Sequence, residues 1–150
     1  MDQEGYKTSK RILTDSTEWR RSHPKATAHV GGLRRTYVVH LPLAYTPERA
    51  YPLVLAFHGR RTTARWMARR THLSSLADEH HFIVVYPDGY KGQWGDGRGY
   101  TPSEREGVDD VAFIATLIEL LRTQLPLDVR RIYATGISKG GFFFFPLGCL

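Results

Sequence analysis

Near the end of the chain, Gly136-Ile137-Ser138-Lys139-Gly140 forms a Gly-x-Ser-x-Gly pentapeptide. A serine hydroxyl is a weak nucleophile until a base takes its proton and a third group orients that base. The pentapeptide suits such chemistry when a strand delivers the serine and a helix carries the chain away, leaving the hydroxyl at the end of a sheet. Small flanking residues have a physical purpose there. Gly136 and Gly140 allow strand and helix to approach closely while the serine takes strained backbone angles. The same letters also arise as a glycine-rich turn with an idle serine, so the neighbouring elements must decide.

Those elements fit. The stretch LDVRRIYATG (127–136) predicts a buried strand leading into the turn. Upstream, RTYVVHLP (35–42) alternates Tyr37, Val39 and Leu41 against Thr36, Val38 and His40, a strand closed by Pro42. PLVLAFHG (52–59) and FIVVYPDG (82–89) are continuous apolar runs, as expected of strands covered on both faces of a parallel sheet. Between them, residues 63–81 place Trp66, Leu73, Leu76 and Ala77 at helical spacing. Residues 108–125 give the clearest helix, with Val108, Val111, Ala112, Ala115, Ile118 and Leu121 on one face. Asp109 and Asp110 stand in its first turn, where the helix dipole favours acids. Strands alternating with helices indicate an α/β fold with a mostly parallel sheet and flanking helices. The polar, glycine-rich loop 90–107 exceeds a plain connector, and loops of that kind often carry function or move.

A second element belongs with the serine. Strand 52–59 ends in His58-Gly59 and opens into Arg60-Arg61-Thr62-Thr63. In such sheets a loop at this place offers one backbone N–H to a developing oxyanion, and the residue after the nucleophile offers the other. That assigns the N–H groups of Lys139 and Arg60 to an oxyanion hole. The His58 side chain is structural in either reading, packing or hydrogen-bonding at a strand end.

Length and composition bound the alternatives. A chain of 150 residues with 41% hydrophobic and 24% charged residues is that of one ordinary globular domain. No apolar run approaches the ~20 residues of a membrane span, and the polar N-terminus lacks the apolar core of a secretory signal. Cys149 is the single cysteine, so neither an internal disulfide nor a cysteine metal site can form. The net charge of +6 is scattered over pairs such as Arg34-Arg35, Arg60-Arg61 and Arg130-Arg131. That pattern argues for a solvated basic surface rather than a stripe for nucleic acid. Residues 1–31 show no sustained period and end in Gly31-Gly32, which suggests a flexible leader before a domain over 32–150.

Taken together, RTYVVHLP, PLVLAFHG, HFIVVYPDG, VDDVAFI and RRIYATGISKGG resemble the polyhydroxybutyrate depolymerase family of serine esterases, close to feruloyl and acetylxylan esterases. The resemblance implies an α/β-hydrolase fold, a Ser-His-Asp triad, no metal or organic cofactor, a polyester or plant-wall ester as substrate, and an extracellular location. Position by position, Ser138 matches the nucleophile and Lys139 its neighbour. Gly136, Gly140 and Gly141 match the glycines of the turn, and His58-Gly59 the oxyanion loop. Asp109-Asp110-Val111 matches an acidic helix start of structural role. Trp94 falls where the family has an aromatic near the substrate cleft, an exposed or half-packed aromatic being the alternative.

In that family the triad Asp and His follow the serine. Here His23, His29, His40, His58, His72, His80 and His81 all precede Ser138, and only a dozen residues follow it. The expectation is the N-terminal half of an α/β-hydrolase domain, an incomplete domain ending just after the serine turn and lacking the triad Asp and His. Two alternatives are an inactive fragment and a non-catalytic basic domain that binds an acidic polymer. The tail GGFFFFPLGCL is unusual: Pro146 falls within the expected helix, at a cost of ~3 kcal/mol or more. Four successive phenylalanines cannot all face one core.

Overall fold

A computed structural model describes residues 25–148. Two alternating runs open it as β1 (Lys25–Val30) and β2 (Leu33–His40). Gly31 and Gly32 join them, both at positive φ (56° and 76°), a geometry that matches the twist of an antiparallel hairpin. The register sets Val30 opposite Leu33 and Lys25 opposite Val38. Residues 25–30 are therefore not part of a leader. Ala26 and Val30 are partly buried against the core and Ala28 is buried in it, so the strand has an inner face. The remainder of the expected leader, residues 1–24, lies outside the described residues.

Strands β3 (Tyr51–Phe57), β4 (Ile83–Pro87) and β5 (Leu127–Gly136) complete a sheet of order β1-β2-β4-β3-β5. β3 runs parallel to both β4 and β5, whereas β2 is antiparallel to β4 and to β1. The sheet is thus mixed, with three parallel strands on one side and the antiparallel hairpin on the other. All of β4 is buried, as its continuous apolar run demands. β5 departs from the expectation of a doubly covered strand. It stands last in the sheet, and Val129 and Tyr133 are 53% and 55% exposed, while Ile132 and Ala134 pack on the core.

The helical stretch 63–81 divides into α1 (Ala64–Arg70) and α2 (Leu73–His80). Thr71 ends α1 by donating its hydroxyl to the Met67 carbonyl (2.9 Å), and His72 at φ 55° redirects the chain. A single turn, α3 (Pro102–Arg105), interrupts the long polar loop. α4 (Asp110–Gln124) presents Phe113, Ile114, Leu117, Leu120 and Leu121 to the core. This face is rotated from the one that spacing suggests, because the bulkier side chains lie on it and burying them removes more apolar surface from water. α5 (Lys139–Leu147) forms despite Pro146, which sits in its last turn. Of its four phenylalanines only Phe143 is buried; Phe142, Phe144 and Phe145 are exposed. Among the described residues no helix is long and apolar enough to cross a membrane.

Candidate active site

Ser138 lies between the end of β5 and the first residue of α5, with φ 51° and ψ −115°. Such angles are rare outside glycine and persist only when the surroundings impose them. Here three hydrogen bonds do so. Ile137 N–H donates to the Phe57 carbonyl (3.1 Å), Gly140 N–H to the Ile137 carbonyl (2.9 Å), and Phe142 N–H to the Ser138 carbonyl (3.1 Å). The first ties the turn to the end of β3. A Cβ on Gly140 would overlap the Phe57 carbonyl oxygen and lie 2.6 Å from its carbon. A Cβ on Gly136 would overlap the Gly140 carbonyl and lie 2.6 Å from the Gly141 nitrogen. Only glycine fits either position. Gly141 is looser, since its Cβ would meet the Gly136 oxygen at 3.3 Å.

The His58-Gly59 loop faces this turn. A Cβ built on Gly59 would sit 3.7 Å from the Cβ of Ser138. The Gly59 carbonyl accepts from the His58 ring (2.7 Å), the Thr62 hydroxyl (2.8 Å) and Thr62 N–H (3.3 Å). A trans peptide is planar, so the Arg60 N–H of the same unit points the opposite way. His58 is fully buried, and its Nε2 accepts from Gly89 N–H at 2.9 Å. The proton therefore resides on Nδ1, which donates to Gly59. Burial lowers the ring's pKa, outweighing the Gly59 hydrogen bond, and keeps the imidazole neutral. The ring clasps the ends of β3 and β4 and has no nitrogen left for proton transfer.

Trp94 is placed differently from expectation. It is fully buried, packed in the core rather than presented at the surface of the described residues. Its ring stacks on Phe143 (4.8 Å between centroids) and meets Phe57 edge-on (5.2 Å), while its N–H donates to the His58 carbonyl (3.0 Å). A large apolar ring with a satisfied N–H is stable in such a place. The residue supports the serine turn from beneath.

The loop after β4 supplies what sequence reasoning missed. Lys139 Nζ lies 2.5 Å from Asp96 Oδ2 and 2.9 Å from the Tyr100 hydroxyl. Asp96 also accepts from the guanidinium of Arg98, Nε at 3.0 Å. These contacts, with Arg98 first and Lys139 next, hold the Asp96 carboxyl far below the usual carboxylate range. The loop is anchored in turn by Asp110, whose Oδ2 accepts from Gly95 N–H (2.9 Å) and whose Oδ1 pairs with Arg35 of β2 (2.6 Å). Both side chains of that pair are almost wholly buried. Asp109 is the exposed N-cap of α4, accepting from Ala112 N–H (2.9 Å). No sequence period marks Asp96, Arg98 or Tyr100; the charge and glycine content of the loop were the only signal.

Comparison with known proteins settles the lineage. The profile of the family described as esterase PHB depolymerase matches residues 35–145. The chain belongs to this family. Among relatives, it is 30% identical to a bifunctional acetylxylan esterase/xylanase of Neocallimastix patriciarum, over 75% of the chain and 15% of the relative. It is 29% identical to feruloyl esterase B of Piromyces equi, over 77% of the chain and 21% of the relative. A poly(3-hydroxyalkanoate) depolymerase C of Paucimonas lemoignei matches at 30% identity over 61% of the chain and 22% of that protein. In three dimensions an S-formylglutathione hydrolase of Agrobacterium tumefaciens superposes with a TM-score of 0.67, covering 85% of this chain and 54% of that one at 16% identity. An acetyl xylan esterase of Aspergillus awamori gives 0.58, covering 71% and 38% at 19% identity. These likenesses show the α/β fold shared with hydrolases, of which the chain spans about half or less.

In this member of the esterase family, no described histidine hydrogen-bonds to the Ser138 hydroxyl, and no described cluster of three or more His, Cys, Asp or Glu could hold a metal. An apolar hollow of about 530 Å3 opens beside β5, lined by Leu55, Ile114, Ile118, Ile132, Phe144 and Leu147 among others, and does not include Ser138.

Proposed function

We propose that this chain is the nucleophile-bearing part of a carboxylic-ester hydrolase. Ser138 Oγ attacks the ester carbonyl and the alcohol departs; water then cleaves the acyl-serine to release the acid. The carbonyl oxygen, charged in the tetrahedral intermediate, is received by the N–H groups of Lys139 and Arg60. The observation that carries the reading is the backbone of Ser138, a non-glycine residue held at φ 51° between a parallel strand and a helix, in a chain of an esterase family. Two further features support the oxyanion assignment. Lys139 opens α5, where first-turn amides have no helical acceptor. The Gly59 carbonyl is drawn inward, which turns the Arg60 amide outward.

The base and its orienting acid, a histidine and an aspartate by family resemblance, come from polypeptide beyond this chain. The open edge of β5 and the apolar hollow between α4 and α5 favour packing of further strands and helices there. The relatives' names point to polyester or plant-wall esters as substrates and, by resemblance, to an extracellular enzyme. This chemistry needs neither metal nor organic cofactor.

The test joins the chain to the downstream half of a family domain and follows hydrolysis of an activated short-chain ester. The assembled domain turns the ester over, the chain alone does not, and Ser138→Ala lowers turnover by at least about a thousandfold. Turnover that survives Ser138→Ala would overturn the assignment.

A further inference from the structure

The loop over the serine turn carries a charge arrangement that ester hydrolysis by itself does not require. We propose that Asp96 is a positioning residue of the serine site, acting through Lys139. It neutralises and immobilises the ammonium that directly follows the nucleophile, and so fixes the opening turn of α5. This rests on the reading of Ser138 as nucleophile.

The Asp96 side chain is 2% exposed and that of Lys139 11%, so the pair is sheltered from the screening that makes surface ion pairs weak. Among the described residues, the polar and charged groups facing the ammonium come from the same loop. Besides Asp96 there are Tyr100, whose hydroxyl accepts from Nζ and whose ring centroid is 4.4 Å away, and Arg98, which shares Asp96. The Arg98 guanidinium also lies over the Tyr100 ring (4.8 Å) and the Phe142 ring (5.6 Å), linking the loop to the outer face of α5. Behind Asp96, Gly95 is held by Asp110, and Asp110 by Arg35. A continuous series of contacts therefore runs from β2 to the residue beside Ser138.

The chemical reason lies in the proton. A base that accepts the Ser138 proton becomes a cation, and an unpaired ammonium one residue away would oppose that charge. Asp96 offsets that ammonium. The burial of Lys139 would lower its pKa, yet the Asp96 and Tyr100 contacts raise it, so the pair remains charged.

The test places a reporter at the turn: Ser138→Cys in a Cys149→Ser background, with the pKa of the introduced thiol read from the pH profile of alkylation by iodoacetamide. Neutralising Asp96 with Asp96→Asn leaves Lys139 uncompensated, which favours the thiolate and lowers that thiol pKa by about half a unit or more. Removing both charges together, in Asp96→Asn with Lys139→Met, returns the thiol pKa to within about a quarter of a unit of the parent value, because carboxylate and ammonium offset each other. Lys139→Arg, which keeps the pair, keeps the profile. Lys139→Met alone reads the pair from the other side and raises the thiol pKa, even should Asp96→Asn fail to fold. An unchanged or raised pKa in Asp96→Asn, a double variant displaced as far as either single one, or no rise in Lys139→Met would overturn the proposal. The thiol titrates without any ester turnover, so these outcomes are independent of the assignment of Ser138 as nucleophile.

Discussion

Replacing Asp110 by asparagine probes whether the loop over the serine turn is anchored in the core. Both carboxylate oxygens face donors, Oδ1 the Arg35 guanidinium at 2.6 Å and Oδ2 the Gly95 amide at 2.9 Å. Asparagine is isosteric but has one oxygen, so its NH2 must oppose one of those donors however it is turned. Arg35 is 4% exposed at the side chain and stacked on Phe113 at 4.1 Å, so its charge cannot reach water without disrupting packing. Removing one partner of such a buried pair costs about 3–5 kcal/mol. Against a total stability of roughly 5–15 kcal/mol this is a large share. With a urea slope of about 2 kcal/mol per molar, the midpoint falls by about 2 M. Urea titration followed by far-ultraviolet circular dichroism measures it. Asp109→Asn is the matched control: the neighbouring carboxylate is an exposed N-cap, and asparagine caps about as well. Its cost is a few tenths of a kcal/mol at most. If the two variants fell within about 1 kcal/mol of each other, the Arg35–Asp110 pair would not be a desolvated anchor.

Three other outcomes follow from the same geometry. Gly140→Ala forces a methyl against the Phe57 carbonyl and should destabilise by about 1–3 kcal/mol or prevent α5 from seating, measured as a loss of thermal midpoint. Phe143→Ala, which empties the space between Trp94 and Phe57, should cost about 3–5 kcal/mol in urea, whereas Phe145→Ser, 75% exposed, should cost under about 0.5 kcal/mol. His58 is held neutral below its ordinary pKa, so the unfolded chain takes up a proton first on acidification. The His58 contribution is therefore complete above about pH 6.5 and is lost as pH falls from there towards the depressed folded value, at up to about 1.4 kcal/mol per pH unit. Urea stabilities between pH 5 and 8, compared with those of His58→Asn, should show that slope only in the unsubstituted chain.

Much of the sheet could be read from the chain. β2, β3, β4 and β5 fall where apolar runs and alternation put them, and α4 where its period does, because burial dictates those patterns locally. β1 was hidden by the small size of its inner residues, Ala26 and Ala28, although two adjacent glycines between alternating runs are themselves a hairpin signal. The break at His72 was not legible, since histidine takes the helical backbone as well as the left-handed one found here, and nothing in its spacing chooses between them. At the site, the serine turn and the His58-Gly59 loop were visible as short motifs. Asp96 and Tyr100 were not, because they meet Lys139 from some forty residues away in sequence. Trp94 was displaced from cleft to core by the large apolar area it hides beneath the turn.

The pairing of β3 with β5 has a consequence for how the molecule assembles. Its partners, such as Leu53 and Ile132, are separated by about 80 residues, whereas β1 and β2 close through two glycines. A hairpin of that kind forms in about 1–10 μs, but distant strands must first surrender the freedom of everything between them. Until they meet, Ile137 has no Phe57 carbonyl to bind, and the two hydrogen bonds within the turn are left alone to hold Ser138 at positive φ. In a nascent or partly opened chain the residue is an ordinary serine in an ordinary loop. Its strained geometry belongs to the finished sheet and not to the pentapeptide that contains it.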